Sequence, residues 1–214
     1  AETVRKHAAE LLSREDVKML VDSLRKSHPS VVEELTPAQA SLGEIQRVLQ
    51  GLLKERVAIR DLSRIFEAIS ASIRSGNQGP EALVESAREV LGSAISSQTA
   101  MEGILHVITL DPTFEQGLLA ASRAGQEGQV LAIDATVLTR MSSDVGRLVN
   151  QAEEAGISPV LICASQLRAS LYQQLRHEFP RLPILSYSEL GGPIDIQTVG
   201  VVGNEPANVA SVSH

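Results

Sequence analysis

Residues 104–119 read ILHVITLDPTFEQGLL. Ile104–Leu110 is an apolar run of strand length, and Asp111 follows it as a helix N-cap. Pro112 stands at the first helical position, where its missing N–H leaves no bond unmade. A strand running straight into a capped helix is half of a β–α–β unit, and the pattern recurs downstream. Gly125–Gln129 reads as a loop, Val130–Ile133 as a short extended segment, and Asp134 as the cap of a long helix reaching about Ala155. Pro159–Ala164 is a second clear strand, Ser165 caps a helix to Phe179, and Leu182–Tyr187 is the next strand. Gly191–Pro193 turns the chain into a final strand, Ile194–Val202, and Asn204–His214 is a polar, loose end. This alternation predicts a mostly parallel sheet flanked by helices.

Upstream, the apolar period is helical. Ala8, Leu11 and Leu12 belong to a short first helix. Ser13, with Asp16 three positions on, opens a second that carries Val17, Leu20, Val21 and Leu24 on one face. Ser41 and Glu44 have capping-box spacing ahead of Leu42, Ile45, Val48, Leu49, Leu52 and Leu53. Leu62, Ile65, Phe66, Ile69 and Ile73 form the next stripe. After a break at Gly76–Pro80, the last stripe is Leu83, Val84, Ala87, Val90, Leu91 and Ile95. The expected fold class is α+β and multi-domain: an all-α bundle over 13–98, then an α/β domain over 102–203 and a flexible tail over 204–214.

Composition narrows the function. The chain has 214 residues, 43% apolar and 21% charged, which fits one large globular domain or two small ones. Phe66, Phe114, Tyr172, Phe179 and Tyr187 are its only aromatics. That argues against stacking platforms for single-stranded nucleic acid and cages for quaternary amines. The net charge of −7 is uneven: residues 101–214 hold 12 acidic and 6 basic side chains, residues 1–100 hold 14 and 13. No basic footprint of a nucleic-acid or membrane-surface binder is present. The single Cys163 excludes an intramolecular disulfide and fits a reducing compartment. No apolar run approaches the ~20 residues of a membrane span, and no signal peptide opens the chain. Starting at Ala1 inside a polar helix, it reads as a soluble piece of something longer.

Catalytic chemistry is hard to assemble from these residues. Neither GxGxxG nor GxxxxGK[ST] occurs, and no lysine follows Lys54, so a P-loop or Schiff-base lysine is excluded downstream. Asp134, in LAIDATVL, holds the position of a phosphate-accepting aspartate, but Thr136 stands where a dehalogenase-like site needs a second Asp. Its role as an N-cap accounts for it. Ser165 lacks the glycines of a nucleophile elbow, with Cys163 and Leu167 in their places. His7, His28, His106, His177 and His214 are scattered singly, without metal-ligand spacing. No enzyme, metal or cofactor is expected. The stretch 41–71 gives helix, turn near Arg56–Ile59, helix, the outline of a helix-turn-helix DNA-binding regulator. Its second helix offers Arg60, Arg64 and Arg74 against Asp61 and Glu67, with no Asn or Gln to read bases. Two bundle helices joined by a turn are the reading these residues favour.

The segments RKHAAELLSREDVKMLVDSLRKSHPSVVEEL, SLGEIQRVLQGLLKERVAIRDLSRIFEAI, ITLDPTFEQGLL and LPILSYSEL carry a resemblance. Together, from about Thr3 to Val202, the chain resembles the C-terminal cytoplasmic region of the flagellar members of the type III export-gate family, FHIPEP or SctV. The resemblance implies that 1–12 is the end helix of a preceding first subdomain, 13–98 the third cytoplasmic subdomain and 102–203 the fourth. It implies a distal part of a membrane protein's cytoplasmic tail at the inner membrane, joined to the membrane only through an N-terminal region outside this chain. It implies a homo-oligomeric ring, typically a nonamer, that receives flagellar export substrates, their chaperones and the export ATPase complex, with no nucleic acid. The family's main chaperone groove lies largely in the first two subdomains, so its residues do not carry over. Beside the resemblance, Arg56, Arg60, Asp61 and Arg64 near the inter-helix turn are candidates for self-association or partner contact. Alternatively, Asp61 starts a helix and the arginines are solvated.

Overall fold

The computed structural model describes residues 9–36, 38–125 and 128–203, with side chains outside 124–130. The expected tail Asn204–His214 and most of the expected end helix 1–12 lie outside them; residues 9–11 are helical. The chain divides into two units. One is Ala1–Gln98 with Ala124–Gly128 and Ser188–Gly192; the other is Thr99–Arg123 with Gln129–Tyr187 and Pro193–His214. Chain order alone would place 188–192 with the strands; the fold groups it with the helices.

The helical unit contains α1 (Arg14–Ser27), α2 (Pro29–Leu35), α3 (Leu42–Lys54), α4 (Leu62–Arg74) and α5 (Pro80–Thr99). Both expected capping boxes close. The amide of Asp16 donates to Ser13 Oγ at 3.1 Å while the Ser13 amide donates to the Asp16 carboxylate at 2.9 Å. The Ser41 amide donates to Glu44 Oε2 at 2.8 Å, and the Glu44 amide returns to Ser41 Oγ at 3.3 Å. The apolar faces converge on a core that includes Val17, Val21, Ile45, Leu49, Leu52, Ile65, Phe66 and Ile69. The apolar stripes read from the sequence have no counterpart of α2. Pro29 opens that helix at its first turn, and Val32 and Leu35 are buried from it.

The sheet unit contains β1 (Ile104–Leu110), α6 (Pro112–Ala121), α7 (Ala135–Glu154), β4 (Val160–Cys163), α8 (Ser165–Leu175), β5 (Ile184–Ser186) and β6 (Asp195–Val202), while the division between the units falls within β2 (Ser122–Gly125) and β3 (Gly128–Leu131). β5, β4, β1 and β6 form one sheet in that order, with every neighbouring pair parallel. β4 is buried along its whole length, as expected of a strand covered on both faces. β1 pairs with β6 from Ile104↔Asp195 to Leu110↔Val202, but Val107 faces Thr198 and Ile108 faces Gly200, so Val199 is an inserted bulge residue. Met141, Val145 and Leu148 of α7, with Leu167 and Leu171 of α8, pack on Ile108, Leu161 and Cys163 of the strands.

Three local expectations are corrected. Of the loop expected at Gly125–Gln129, Gly125 ends β2 while Gly128 and Gln129 already belong to β3. Ser165 is the first helical residue of α8, and Ala164 holds the cap position, its amide donating to Glu115 Oε1 at 2.7 Å. That helix ends at Leu175, short of Phe179, with Arg176 as its C-cap.

Candidate partner-docking surfaces

The α3–α4 connection holds the four residues singled out from sequence. α3 ends in a Schellman motif: the Val57 amide donates to Leu52 O at 2.9 Å and the Arg56 amide to Leu53 O at 3.0 Å. Arg56 occupies its left-handed position with φ of +61°, one of two non-glycine residues with positive φ among the described residues. Asp61 is the N-cap of α4, accepting from the Arg64 amide at 3.3 Å and from Ser63 Oγ at 3.0 Å. Arg64 lies 4.0 Å from the same carboxylate, while Arg56 and Arg60 are exposed. The turn thus presents Arg56, Arg60 and Arg64 to solvent around one committed Asp61. Residues 55–61 form a longer connection than the three or four residues of a helix-turn-helix. Ser70 of α4 donates to Glu34 and Gln39, and Arg74 pairs with Glu34, so much of the would-be recognition helix is spent inside the unit.

Beneath the C-terminal end of α3 lies a buried ionic cluster. Arg88 of α5 donates to Glu55 Oε2 at 3.0 Å and stands 2.8 Å from Glu189 Oε1. Gly92, one turn along α5, meets the backbone of Glu189: a Cβ built there would lie 2.7 Å from Glu189 Cα. Ser96 Oγ, a further turn along, donates to the Gly191 carbonyl at 2.9 Å. Arg88, Gly92 and Ser96 therefore form a polar stripe that receives 188–192. A sequence signal existed, because Arg88 falls on the apolar stripe between Val84 and Leu91, where a charge requires a buried partner.

A third feature, a groove of about 690 Å³, opens at the carboxyl edge of the sheet. The carboxyl ends of β1 and β6 meet there, the Asp111 amide donating to Val202 O at 2.8 Å. From β1 the chain crosses to β4 on one side, while β6 fills the other. In open α/β sheets this switch point is the usual place for a ligand. Phe114, Gly117, Leu118 and Ala121 of α6 form one wall, and Ile133, Asp134, Val137 and Arg140 the other. Asp111 takes the Thr113 and Phe114 amides at 2.9 and 3.2 Å, which fills the α6 N-terminus with a carboxylate where a nucleotide phosphate would bind. Asp134 sits at the cap position of α7 in extended conformation, yet its side chain makes no cap hydrogen bond, contrary to the role expected from sequence.

Elsewhere, a cleft of about 610 Å³ between α1 and the start of α3 is lined by Arg14, Lys18, Arg25 and Arg47 together with Asp22, which pairs with Arg25 at 3.1 Å. Cys163 is a buried thiol directed at Leu185 O, 3.8 Å away. Among the described residues no three His, Cys, Asp or Glu side chains are placed to hold a metal ion.

A family model described as the FHIPEP family matches residues 1–195. The chain is 34% identical over 202 residues to the flagellar biosynthesis protein FlhA of Bacillus subtilis (strain 168), covering 94% of this chain and 30% of that protein. Its fold matches a nonameric SctV-C from EPEC solved by cryo-EM, with TM-score 0.82 and 25% identity over 94% of this chain and 60% of that one. It also matches the Chlamydia pneumoniae CdsV and CdsO protein complex, with TM-score 0.75 and 25% identity over 94% of this chain and 59% of that one. The chain thus spans less than a third of that FlhA and about three fifths of each solved chain.

Proposed function

The chain belongs to the FHIPEP family, and on that footing we propose that it is a cytoplasmic part of a flagellar type III protein export gate. In this reading it is a docking platform for export substrates, their chaperones and the export ATPase complex, and it carries out no chemistry of its own. The observation that carries it is likeness along 94% of the chain, at 34% identity, to a flagellar biosynthesis protein. A relative solved as a nonamer and another solved in complex with CdsO support a homo-oligomeric ring and protein partners. The ring would hang at the cytoplasmic face of the inner membrane; among the described residues no helix is long and apolar enough to cross it. We place one contact surface, to a neighbouring copy or a partner, at Arg56, Arg60, Asp61 and Arg64. Three exposed cations at one turn suit an acidic surface, and attraction of this kind raises association rates most at low salt.

Pull-down of flagellar chaperone–substrate pairs and the ATPase complex by the complete cytoplasmic region tests the proposal. Capture that weakens when residues 13–203 are deleted supports it; capture unaffected by that deletion overturns it. A DNA-binding reading has little support beside this one, since α4 spends Ser70 and Arg74 on contacts within its own unit.

A further inference from the structure

Gly117 stands inside helix α6, where glycine costs helix stability relative to alanine, and a Cβ built there meets nothing within 4 Å. No close neighbour among the described residues explains it. It does leave a notch in the wall of the groove at the sheet's carboxyl edge, between Phe114 and Leu118. The opposite wall offers Ile133, Val137 and the cation Arg140, and its rim carries Asp134, whose carboxylate caps no helix amide. The groove thus combines apolar walls, a place where a second backbone can come close, and a carboxylate that makes no hydrogen bond to its own helix.

We propose that this groove docks an amphipathic helical segment of a partner protein, with apolar anchors in the groove and a basic residue against Asp134; the inference rests on the docking-platform reading above. Two helices flank the groove and the notch admits a third at short interaxial distance, the helix-in-groove mode of recognition. α6 has ten residues, about 15 Å of helix, so the occupant buries two to three turns and uses anchors at i, i+3 or i+4, and i+7. A cation is favoured because the described lining sets Asp111 and Asp134 against the one cation Arg140, and residues 101–214 as a whole hold 12 acidic side chains against 6 basic ones. The chain's own end, Asn204–His214, follows the groove-lining Gly203 but has Glu205 as its charged residue apart from His214, and Val209 and Val212 as its largest apolar ones. It brings no Lys or Arg to Asp134 and no large apolar anchor to the walls.

The test uses the full chain and a fluorescein-labelled, 18-residue Leu/Lys amphipathic helix, with a Leu/Glu helix of the same pattern as control, read by anisotropy. Saturable binding of the Leu/Lys helix is expected, at least tenfold tighter than the Leu/Glu helix. Gly117→Leu should weaken it at least tenfold with the far-ultraviolet circular dichroism unchanged, and Asp134→Lys should reverse the preference toward the Leu/Glu helix. Equal binding of the two helices, or wild-type affinity in a folded Gly117→Leu chain, overturns the proposal. So does a tenfold gain in affinity on removing residues 204–214, which would make the chain's own end the occupant. Each of these results leaves chaperone capture by the complete cytoplasmic region to be read separately, so the platform reading can stand when this one falls.

Discussion

Arg88 and Glu189 form an ion pair of 2.8 Å within the helical unit, their side chains 3% and 2% exposed. Glu55 shares the same guanidinium from the end of α3. Removing the cation leaves two carboxylates in a buried site, so Arg88→Met should cost about 3–5 kcal/mol. Replacing all three residues with apolar ones of similar volume should cost far less, because no unpaired charge then remains. Urea denaturation of both variants checks this, and equal losses would show that the cluster's charges are not what matters.

Gly92 and Gly117 both lie inside helices but should respond to alanine with opposite signs. At Gly92 the new methyl group would meet Glu189 Cα at 2.7 Å and its carbonyl oxygen at 2.9 Å, backbone that cannot rotate away. Gly92→Ala should therefore destabilise by about 1–3 kcal/mol through overpacking. Gly117→Ala meets open space and should stabilise by about 0.5–1 kcal/mol. Thermal melts of the two variants decide it.

The helix caps separate in the same way. Ser41→Ala removes a closed capping box and should cost about 1 kcal/mol. Asp134→Ala removes a side chain that bonds to no helix amide, leaving only its interaction with the helix dipole, and should cost under about 0.5 kcal/mol. A loss near ~1 kcal/mol for Asp134→Ala would show that it caps α7 in solution.

Glu44 gives the chain a defined acid sensitivity. The Ser41 backbone amide first, and its hydroxyl second, hold the Glu44 carboxyl below its ordinary value of 4.5. A carboxyl depressed in the folded state contributes stability that is complete above the unfolded value and lost as pH falls through the folded one. The loss should begin near the ordinary carboxyl value of 4.5 and deepen with further acid. Glu44→Gln should flatten that part of the stability–pH curve and leave the curve around neutral pH parallel to that of the wild type.

Arg56 tests the turn. A side chain at φ of +61° is strained relative to glycine, so Arg56→Gly should raise stability by about 1 kcal/mol. If the turn is a contact surface, the same change should weaken ring assembly of the complete cytoplasmic region in sedimentation velocity. A gain in stability with assembly unchanged would leave Arg56 as a helix-ending residue alone.

What could be read from sequence was what neighbours in sequence determine. Ser13 with Asp16, Ser41 with Glu44, and Asp111 with Pro112 each specify a helix start within four residues, and each forms as expected. The apolar run Ile104–Leu110 gave its strand to the residue because both of its ends carry their own signals. Distance along the chain hid the rest. Glu55, Arg88 and Glu189 become one cluster only after the fold brings three separate segments together. The groove needs Phe114, Val137 and Gly203 to converge, and no periodicity encodes that. α2 escaped because seven residues are too few to show a helical period.

The position of Ser188–Gly192 bears on how the protein is made. α5 is synthesised about a hundred residues before the segment that covers Arg88, Gly92 and Ser96. Until the ribosome has passed β5, the helices can collapse on their apolar faces with Arg88 paired to Glu55, while Glu189 is still missing from the cluster and Gly92 and Ser96 are uncovered. The helical unit therefore completes late, and non-local closure of this kind slows folding relative to a bundle made of adjacent helices.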